Sequence, residues 1–146
     1  MFSHITIGTN DLARAEAFYS HVLSPLGAVL VHRDERYVGY CTGGLTPDGR
    51  PRRPMFWVCL PYDGRAATVG NGTHVAFLTE ARALVDAVYS IALESGARDE
   101  GRPGLRPQYH EHYYGAYFRD MDGNKIQICC HAEDAPRRTS PGERTR

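Results

Sequence analysis

Apolar and polar residues follow two different periods along this chain, and the two periods divide it into strands and helices. Side chains alternate in type over residues 2–8 and 73–79, which predicts a short strand in each segment. Each strand leads into a segment with apolar residues at every third or fourth position, which predicts two helices over residues 12–23 and 84–92. The polar residues before these segments are predicted to cap the helices: Asn10, Asp11 and Thr79.

The two halves of the chain repeat each other at an offset of 70 residues. Identical residues recur at this offset, as in the pairs His4 and His74, Thr9 and Thr79, and Tyr19 and Tyr89. Three strand-like runs follow each helix, at residues 28–32, 37–42 and 55–60 in the first half and near 98, at 113–119 and at 125–131 in the second. The sequence therefore predicts an α+β fold of tandem βαβββ modules, at about residues 1–62 and 72–131, within a single domain over residues 1–131.

Charge and composition narrow the partners that this protein can have. Its 17 basic and 17 acidic residues balance, so the net charge attracts neither nucleic acid nor an anionic membrane. No apolar run approaches the roughly 18 residues that span a bilayer. The four cysteines form no C-x-x-C pair and lie in apolar runs, which favours buried thiols in a reducing compartment. We expect a cytoplasmic protein with a small-molecule partner and a polar tail over residues 132–146.

Alternation places two kinds of side chain on the opposite faces of the predicted strands. The apolar face is expected to pack under the helices: Ile5, Ile7, Val75, Phe77, Ile126 and Ile128. The other face carries His4, His74, Gln127 and, at the repeat-equivalent position of Gln127, Trp57. Two imidazoles and an oxygen donor can hold a divalent transition metal and leave coordination positions open for substrate. The alternative is that these are strand histidines bonded only to neighbouring backbone groups.

Three segments carry a resemblance to a known family: His4 with 11-DL-12 and 17-AFY-19, then 72-GTHVAF-77, then 119-RDMDGNKI-126. Together they resemble the vicinal oxygen chelate superfamily, which groups glyoxalase I, bleomycin- and fosfomycin-resistance proteins, methylmalonyl-CoA epimerase and the extradiol dioxygenases. The resemblance covers residues 1–131. It implies paired βαβββ modules whose curved mixed sheet cups a metal, often in a homodimer and in some members with modules exchanged between subunits. It also implies that His4, His74 and Gln127 occupy the three ligand positions.

One ligand position departs from the family pattern, because Gln127 stands where a glutamate is usual. An amide supplies a carbonyl oxygen but no charge, so a divalent ion such as Zn, Fe, Mn or Ni is expected to bind less tightly there. Glu111 is an alternative carboxylate if its loop folds inward. The other alternative is a cup that binds its ligand with no metal, as in bleomycin-binding members of the superfamily.

Residues 101–114 (GRPGLRPQYHEHYY) are too rich in proline and glycine to predict regular structure, and we expect them to form a wall or lid beside the cup. The candidate substrate-binding residues are Trp57, Arg106, Tyr109 and His112, and Tyr113 of the same segment could also hold an anionic or aromatic substrate. His110 and Tyr114 are the candidates for a general acid or base, since both residue types can move protons. The alternative is a solvated loop that covers the edge of the sheet.

Two functions of different classes follow from these residues. The first is a metal-dependent enzyme that chelates vicinal oxygens of a small substrate, with lyase, isomerase or dioxygenase chemistry. The second is a metal-free protein that sequesters an aromatic or cationic compound between Trp57 and the tyrosine-rich loop. A structural module that binds neither metal nor ligand is a third possibility. Exposed sheet edges, together with the resemblance, predict a homodimer.

Overall fold

The computed structural model describes residues 2–133, which form two modules with the same order of elements. The first module comprises β1 (His4–Gly8), α1 (Leu12–Val22), a 3₁₀ turn (Ser24–Leu26), β2 (Ala28–Arg33), β3 (Tyr37–Thr42) and β4 (Met55–Cys59). The second comprises β5 (Val75–Thr79), α2 (Arg82–Glu94), β6 (Arg98–Leu105), β7 (Tyr114–Arg119) and β8 (Lys125–Cys130). The predicted α+β fold of tandem βαβββ modules is confirmed.

The eight strands form two four-stranded mixed sheets, in the orders β1-β4-β3-β2 and β5-β8-β7-β6. Strand register reproduces the sequence repeat, since Ile5 lies opposite Phe56 and Val75 lies opposite Ile126. The parallel strand of each module, β1 or β5, is paired on one side within residues 2–133. Both of these strands therefore present an open edge.

One hydrophobic core contains residues of both modules. Phe18 of α1 contacts Phe118 of β7 with ring centroids 6.2 Å apart. Phe56 of β4 contacts Phe77 of β5 at 5.1 Å, with the rings edge to face. Since each of these contacts crosses between the modules, burial of apolar surface holds the two sheets in one packed unit.

The turn between β7 and β8 attaches the second module to the start of α1. The Asp122 carboxylate accepts hydrogen bonds from the Thr9 hydroxyl at 2.6 Å and the Asn10 amide at 2.9 Å. The Asp120 carboxylate accepts the hydroxyl of Tyr19, on α1, at 2.6 Å. Hydrogen bonds to carboxylates belong to the stronger class, and these fix the turn against the first module.

The predicted helix caps are half right. Asp11 caps α1, because its side chain accepts the amide N–H of Arg14 at 2.9 Å. The cap predicted at Thr79 is wrong, because the N-cap of α2 is Ala81, two residues further along the chain. No side chain caps this helix. Thr79 instead ends β5 with its side chain buried, and its hydroxyl has no hydrogen-bond partner among residues 2–133.

The irregular segment predicted over residues 101–114 is shorter than expected, because β6 continues to Leu105. The strand pairs with β7 at the outer edge of its sheet, and its register shifts around Gly101 and Gly104. An edge strand with bulges tolerates Pro103, whose missing N–H would interrupt a central ladder. Only residues 106–113 form the loop.

Three further expectations concern the cysteines, membranes and the tail. Cys41, Cys129 and Cys130 are buried free thiols, and Cys59 is a half-buried one. Within residues 2–133 no helix has the length and apolar character to cross a membrane. Of the predicted polar tail, residues 134–146 lie outside the described part of the chain.

Candidate functional site

Gln127 lies at the centre of the polar face of the second sheet. On β7, alternation directs Gly115 and Tyr117 to the Gln127 face and directs Ala116 and Phe118 into the core, where both are fully buried. Tyr117 is the direct cross-strand neighbour of Gln127. The glutamine is only 2% exposed, so its amide must find its partners within the protein.

The amide of Gln127 is oriented by three side chains. Its Nε2 donates to the hydroxyl of Tyr113 at 2.6 Å and to that of Tyr117 at 2.9 Å. Its Oε1 faces Nε2 of His74 at 3.2 Å. Both N–H donors of the amide are therefore used on one side, and the carbonyl oxygen and the imidazole share the other side.

The two phenols around Gln127 remain protonated at neutral pH. Burial, with the neighbouring Cys129 thiol next in importance, raises the pKa of Tyr113. Burial, followed by a hydrogen bond to Tyr109, raises the pKa of Tyr117 to about 12. Both hydroxyls are thus neutral groups that accept from the amide and have a proton of their own to donate.

Gly115 leaves room for the amide. A Cβ at this position would lie 3.3 Å from Nε2 of Gln127 and 3.4 Å from the ring of Tyr113. These contacts are tighter than most that real side chains make, so the absence of a side chain at Gly115 lets Gln127 and Tyr113 approach each other.

The His74 and Gln127 pair fits one side of a divalent metal site. Two ligand atoms each bound at 2.0–2.2 Å in a tetrahedral or octahedral site lie roughly 3.0–3.5 Å apart, and His74 Nε2 and Gln127 Oε1 are 3.2 Å apart. Imidazole nitrogen and amide oxygen are both ligands of first-row divalent ions. Among residues 2–133, no group of three His, Cys, Asp or Glu side chains is placed to hold a metal.

His4, the third predicted ligand, lies on the first module. Its Nδ1 is hydrogen-bonded to the hydroxyl of Ser3 at 2.6 Å, and its ring lines a shallow pocket of that module. No hydrogen bond in residues 2–133 connects it to His74 or Gln127. The structure therefore brings together two of the three predicted ligands.

Trp57 forms a wall of the pocket that His4 lines, where its ring can contact a bound ligand. Its indole lies directly over Gly39, where an added Cβ would be 2.5 Å from the ring. His32 and Tyr37 approach Trp57 edge to face, at centroid distances of 5.2 and 6.4 Å. The carboxylate of Asp34 completes the rim and accepts Nε2 of His32 at 2.8 Å.

Three residues of the loop after β6, namely Arg106, Tyr109 and His110, lie against the tyrosines that surround Gln127. Arg106 places its guanidinium 6.0 Å from the centre of the Tyr117 ring. Tyr109, 60% exposed, packs its ring 4.9 Å from that of Tyr113. Nδ1 of His110 accepts the amide of His112, so Nε2 carries the proton and donates to His131 at 2.9 Å. His112 pairs with Glu111 at 3.2 Å, and that glutamate is 84% exposed.

Tyr114 lies on the opposite face of β7 from Gln127. Its hydroxyl donates to the carboxylate of Asp86, on α2, at 2.8 Å, and Arg82 stacks over its ring. The alternation of β7 explains this position, because Tyr113 and Tyr117 share the polar face and Tyr114 points towards the helix. The hydroxyl of Tyr114, a predicted acid or base, therefore lies on the other side of the sheet from the Gln127 amide.

Two residues of this site were not among the sequence-based candidates: Tyr117 and Lys125. The ammonium of Lys125 lies 5.0 Å from the centre of the Tyr117 ring, on the same face as Gln127. Alternation along the last two strands is the signal that points to them. Lys125 is two residues before Gln127 on β8, and Tyr117 is the residue of β7 that pairs with Gln127.

Comparison with known proteins identifies the family. The model of the glyoxalase/bleomycin resistance protein/dioxygenase superfamily matches residues 1–128. The chain belongs to this superfamily, as its motifs predicted.

Individual relatives agree with this assignment. The chain is 30% identical over 129 residues to a curated protein called metallothiol transferase FosB, from Shouchella clausii, and the match covers 86% of this chain and 77% of the relative. A crystal structure of a glyoxalase/bleomycin resistance protein from Albidiferax ferrireducens is 30% identical, with a TM-score of 0.78 over 90% of this chain and 99% of that one. A lactoylglutathione lyase from Agrobacterium tumefaciens shares the fold, at 21% identity and a TM-score of 0.61 over 88% and 92% of the two chains.

Proposed function

We propose that this protein is a metal-dependent enzyme that binds a small, oxygen-rich anion at a divalent ion held by His74, Gln127 and His4. The observation that carries the proposal is the 3.2 Å approach of His74 Nε2 to Gln127 Oε1, in a buried position with the amide nitrogen turned away. When bound, a divalent ion polarises substrate oxygens and stabilises negative charge that develops on them.

We infer that His4 is supplied by a second copy of the chain. The open edges of β1 and β5 each have unpaired backbone groups. Apolar side chains beside these edges are exposed, at 72% for Phe2, 37% for Ile5 and 69% for Leu78. A homodimer with β1 of one copy beside β5 of the other covers these residues and brings His4 to the pair formed by His74 and Gln127.

The residues around Gln127 favour an anionic substrate. Arg106 and Lys125 both place a cation near the ring of Tyr117. These cations attract and orient a carboxylate, phosphonate or phosphate group, while Tyr109 and His112 line the approach and Trp57 of the partner offers an apolar wall. Among the two predicted acid–base groups, we assign proton transfer to His110, because Tyr114 is on the helix side of β7.

The similarity to a metallothiol transferase favours transfer of a thiol to such a substrate as the reaction, over isomerase or dioxygenase chemistry. The free cysteines fit a location in the cytoplasm, where thiol co-substrates and protein thiols stay reduced.

Metal analysis of protein purified without chelator tests the proposal. We expect about one divalent ion per chain in the wild type, and loss of that ion in His74→Ala. The matched control is His21→Ala, since His21 is an exposed histidine whose ring is hydrogen-bonded to Ser95 at 3.2 Å. Wild-type protein that stays empty after dialysis against Zn²⁺, Mn²⁺ and Ni²⁺ in turn would contradict the proposal.

A metal-free binding protein is the second candidate. It is favoured by the neutral Gln127, whose amide hydrogen bonds are already complete with His74, Tyr113 and Tyr117. In that case ligands quench the fluorescence of Trp57 to the same extent with and without EDTA. Quenching that EDTA abolishes supports the enzyme instead.

A further inference from the structure

We propose that Tyr113 and Tyr117 are positioning residues that hold the Gln127 amide with its oxygen, and not its nitrogen, towards His74. By this means a neutral glutamine serves as a ligand at a position that suits a carboxylate. The inference rests on the proposed function, and it concerns how this chain orients the Gln127 amide so that its oxygen can bind a metal.

A glutamine needs such orientation because its two ends differ. The carbonyl oxygen has lone pairs for a metal, whereas the NH₂ group has only donors. Rotation of the amide by half a turn exchanges them and removes the ligand. A glutamate at the same place has two equivalent oxygens, so the same rotation changes nothing.

The structure uses both donors of the amide to prevent this rotation. Nε2 donates to Tyr113 at 2.6 Å and to Tyr117 at 2.9 Å. With Gln127 only 2% exposed, water is excluded from offering alternative partners to a rotated amide.

Ring contacts hold the two phenols beside the amide nitrogen. The Tyr113 ring lies 4.9 Å from the ring of Tyr109 and 4.7 Å from that of His131, and the Tyr117 ring lies 6.0 Å from that of His74. These neighbours support the two side chains that orient Gln127.

Gly115 permits this arrangement of the amide. A Cβ at that position would lie 3.3 Å from Nε2 of Gln127, so the missing side chain gives the NH₂ group the space in which it reaches both hydroxyls.

Titration with Co²⁺, followed by its visible absorption and by calorimetry, tests this inference without any substrate. The variants are Tyr113→Phe/Tyr117→Phe and the same pair in a Gln127→Glu background, each compared with its parent. We expect the double substitution to weaken Co²⁺ binding about 10-fold or more in the glutamine protein. In the glutamate protein we expect a change of less than about 3-fold, because either carboxylate oxygen can bind.

Tyr40→Phe is the matched control, since it removes a buried hydroxyl that bonds to Ser20 and to the backbone of Glu16, within the first module. It should leave Co²⁺ affinity unchanged, and thermal unfolding of every variant establishes that each is folded. Equal losses in the two backgrounds, or no loss in either, would overturn the inference while the proposed function stands. No Co²⁺ binding by the wild type would overturn both.

Discussion

Trp57 and Gln127 occupy equivalent positions in the two modules, yet their surroundings are built in opposite ways. In the first module the large residue is Trp57 on β4, and its cross-strand neighbour on β3 is Gly39. In the second module the cross-strand neighbour of Gln127 is the large Tyr117. One copy of the duplicated position has therefore become an apolar wall, and the other has become a polar centre with two phenols around it.

A methyl group at Gly39 should displace Trp57. The new Cβ would lie 2.5 Å from the indole ring, a contact that requires the ring to move. We expect Gly39→Ala to shift the fluorescence emission of Trp57, the only tryptophan of the chain, and to lower the free energy of unfolding by about 1–3 kcal/mol through overpacking. Emission spectra and urea unfolding measure the two effects.

Gly115→Ala is the control for this experiment, because Gly115 contacts Gln127 and Tyr113 instead of Trp57. It should leave the emission spectrum unchanged and weaken Co²⁺ binding. An unchanged spectrum in Gly39→Ala would show that Trp57 does not lie against β3.

At the scale of elements, local periodicity was sufficient for most of the fold and insufficient at two places. Strands and helices follow from alternation and helical spacing because each depends on neighbouring residues. The end of β6 does not follow from local periodicity. Pro103 and two glycines indicate a loop there, unless β6 is already known to be the outer strand of its sheet. The cap predicted at Thr79 failed because β5 extends to Thr79 and α2 begins only at Arg82, so that Ala81 stands at the N-cap.

The attachment of the β7–β8 turn to α1 makes a measurable contribution to stability. Asp122→Ala removes the acceptor of the Thr9 hydroxyl and of the Asn10 amide, and the Asp122 side chain is only 5% exposed. We expect the free energy of unfolding to fall by about 2–4 kcal/mol, since the buried hydroxyl of Thr9 loses its carboxylate acceptor. Urea denaturation followed by circular dichroism measures this loss.

Asp48→Ala is the comparison for this loss, because the Asp48 side chain is 61% exposed and lies in the loop between β3 and β4. Its effect should stay within about 0.5 kcal/mol, as is usual for exposed positions. A similar small effect of Asp122→Ala would show that the turn does not hold the two modules together.

At the scale of the whole molecule, the sequence predicted which residues share a face but not which of them meet. Strand phase places His4, His74 and Gln127 on polar faces, because phase is a local property. Whether the two faces adjoin depends on how the sheets pack, which is a long-range property. The structure joins the modules through their helices and core, with β1 and β5 each at an open edge of its own sheet. Within residues 2–133, a hydrogen bond connects His74 to Gln127 and none connects His4 to either of them.

Tyr113 and Tyr117 show the same limit within one module. Alternation along β7 predicts that both side chains lie on the same face. Their hydrogen bonds to Gln127 depend also on the register between β7 and β8. Register depends on the turn and on packing across the sheet. Chemistry that depends on two neighbouring strands therefore becomes visible only when the strands have been paired.

Mixing two inactive variants tests the central claim, a metal site shared between two copies of the chain. If the proposal is right, His4→Ala and His74→Ala each destroy both sites of their own homodimer. When the two are unfolded together and refolded, half of the dimers combine one chain of each kind, and each such dimer has one site with both histidines. The account predicts recovery of Co²⁺ binding to about a quarter of the wild-type amount on random pairing, with no recovery when either variant is refolded alone. Mixed protein that binds no more Co²⁺ than the separate variants would contradict it.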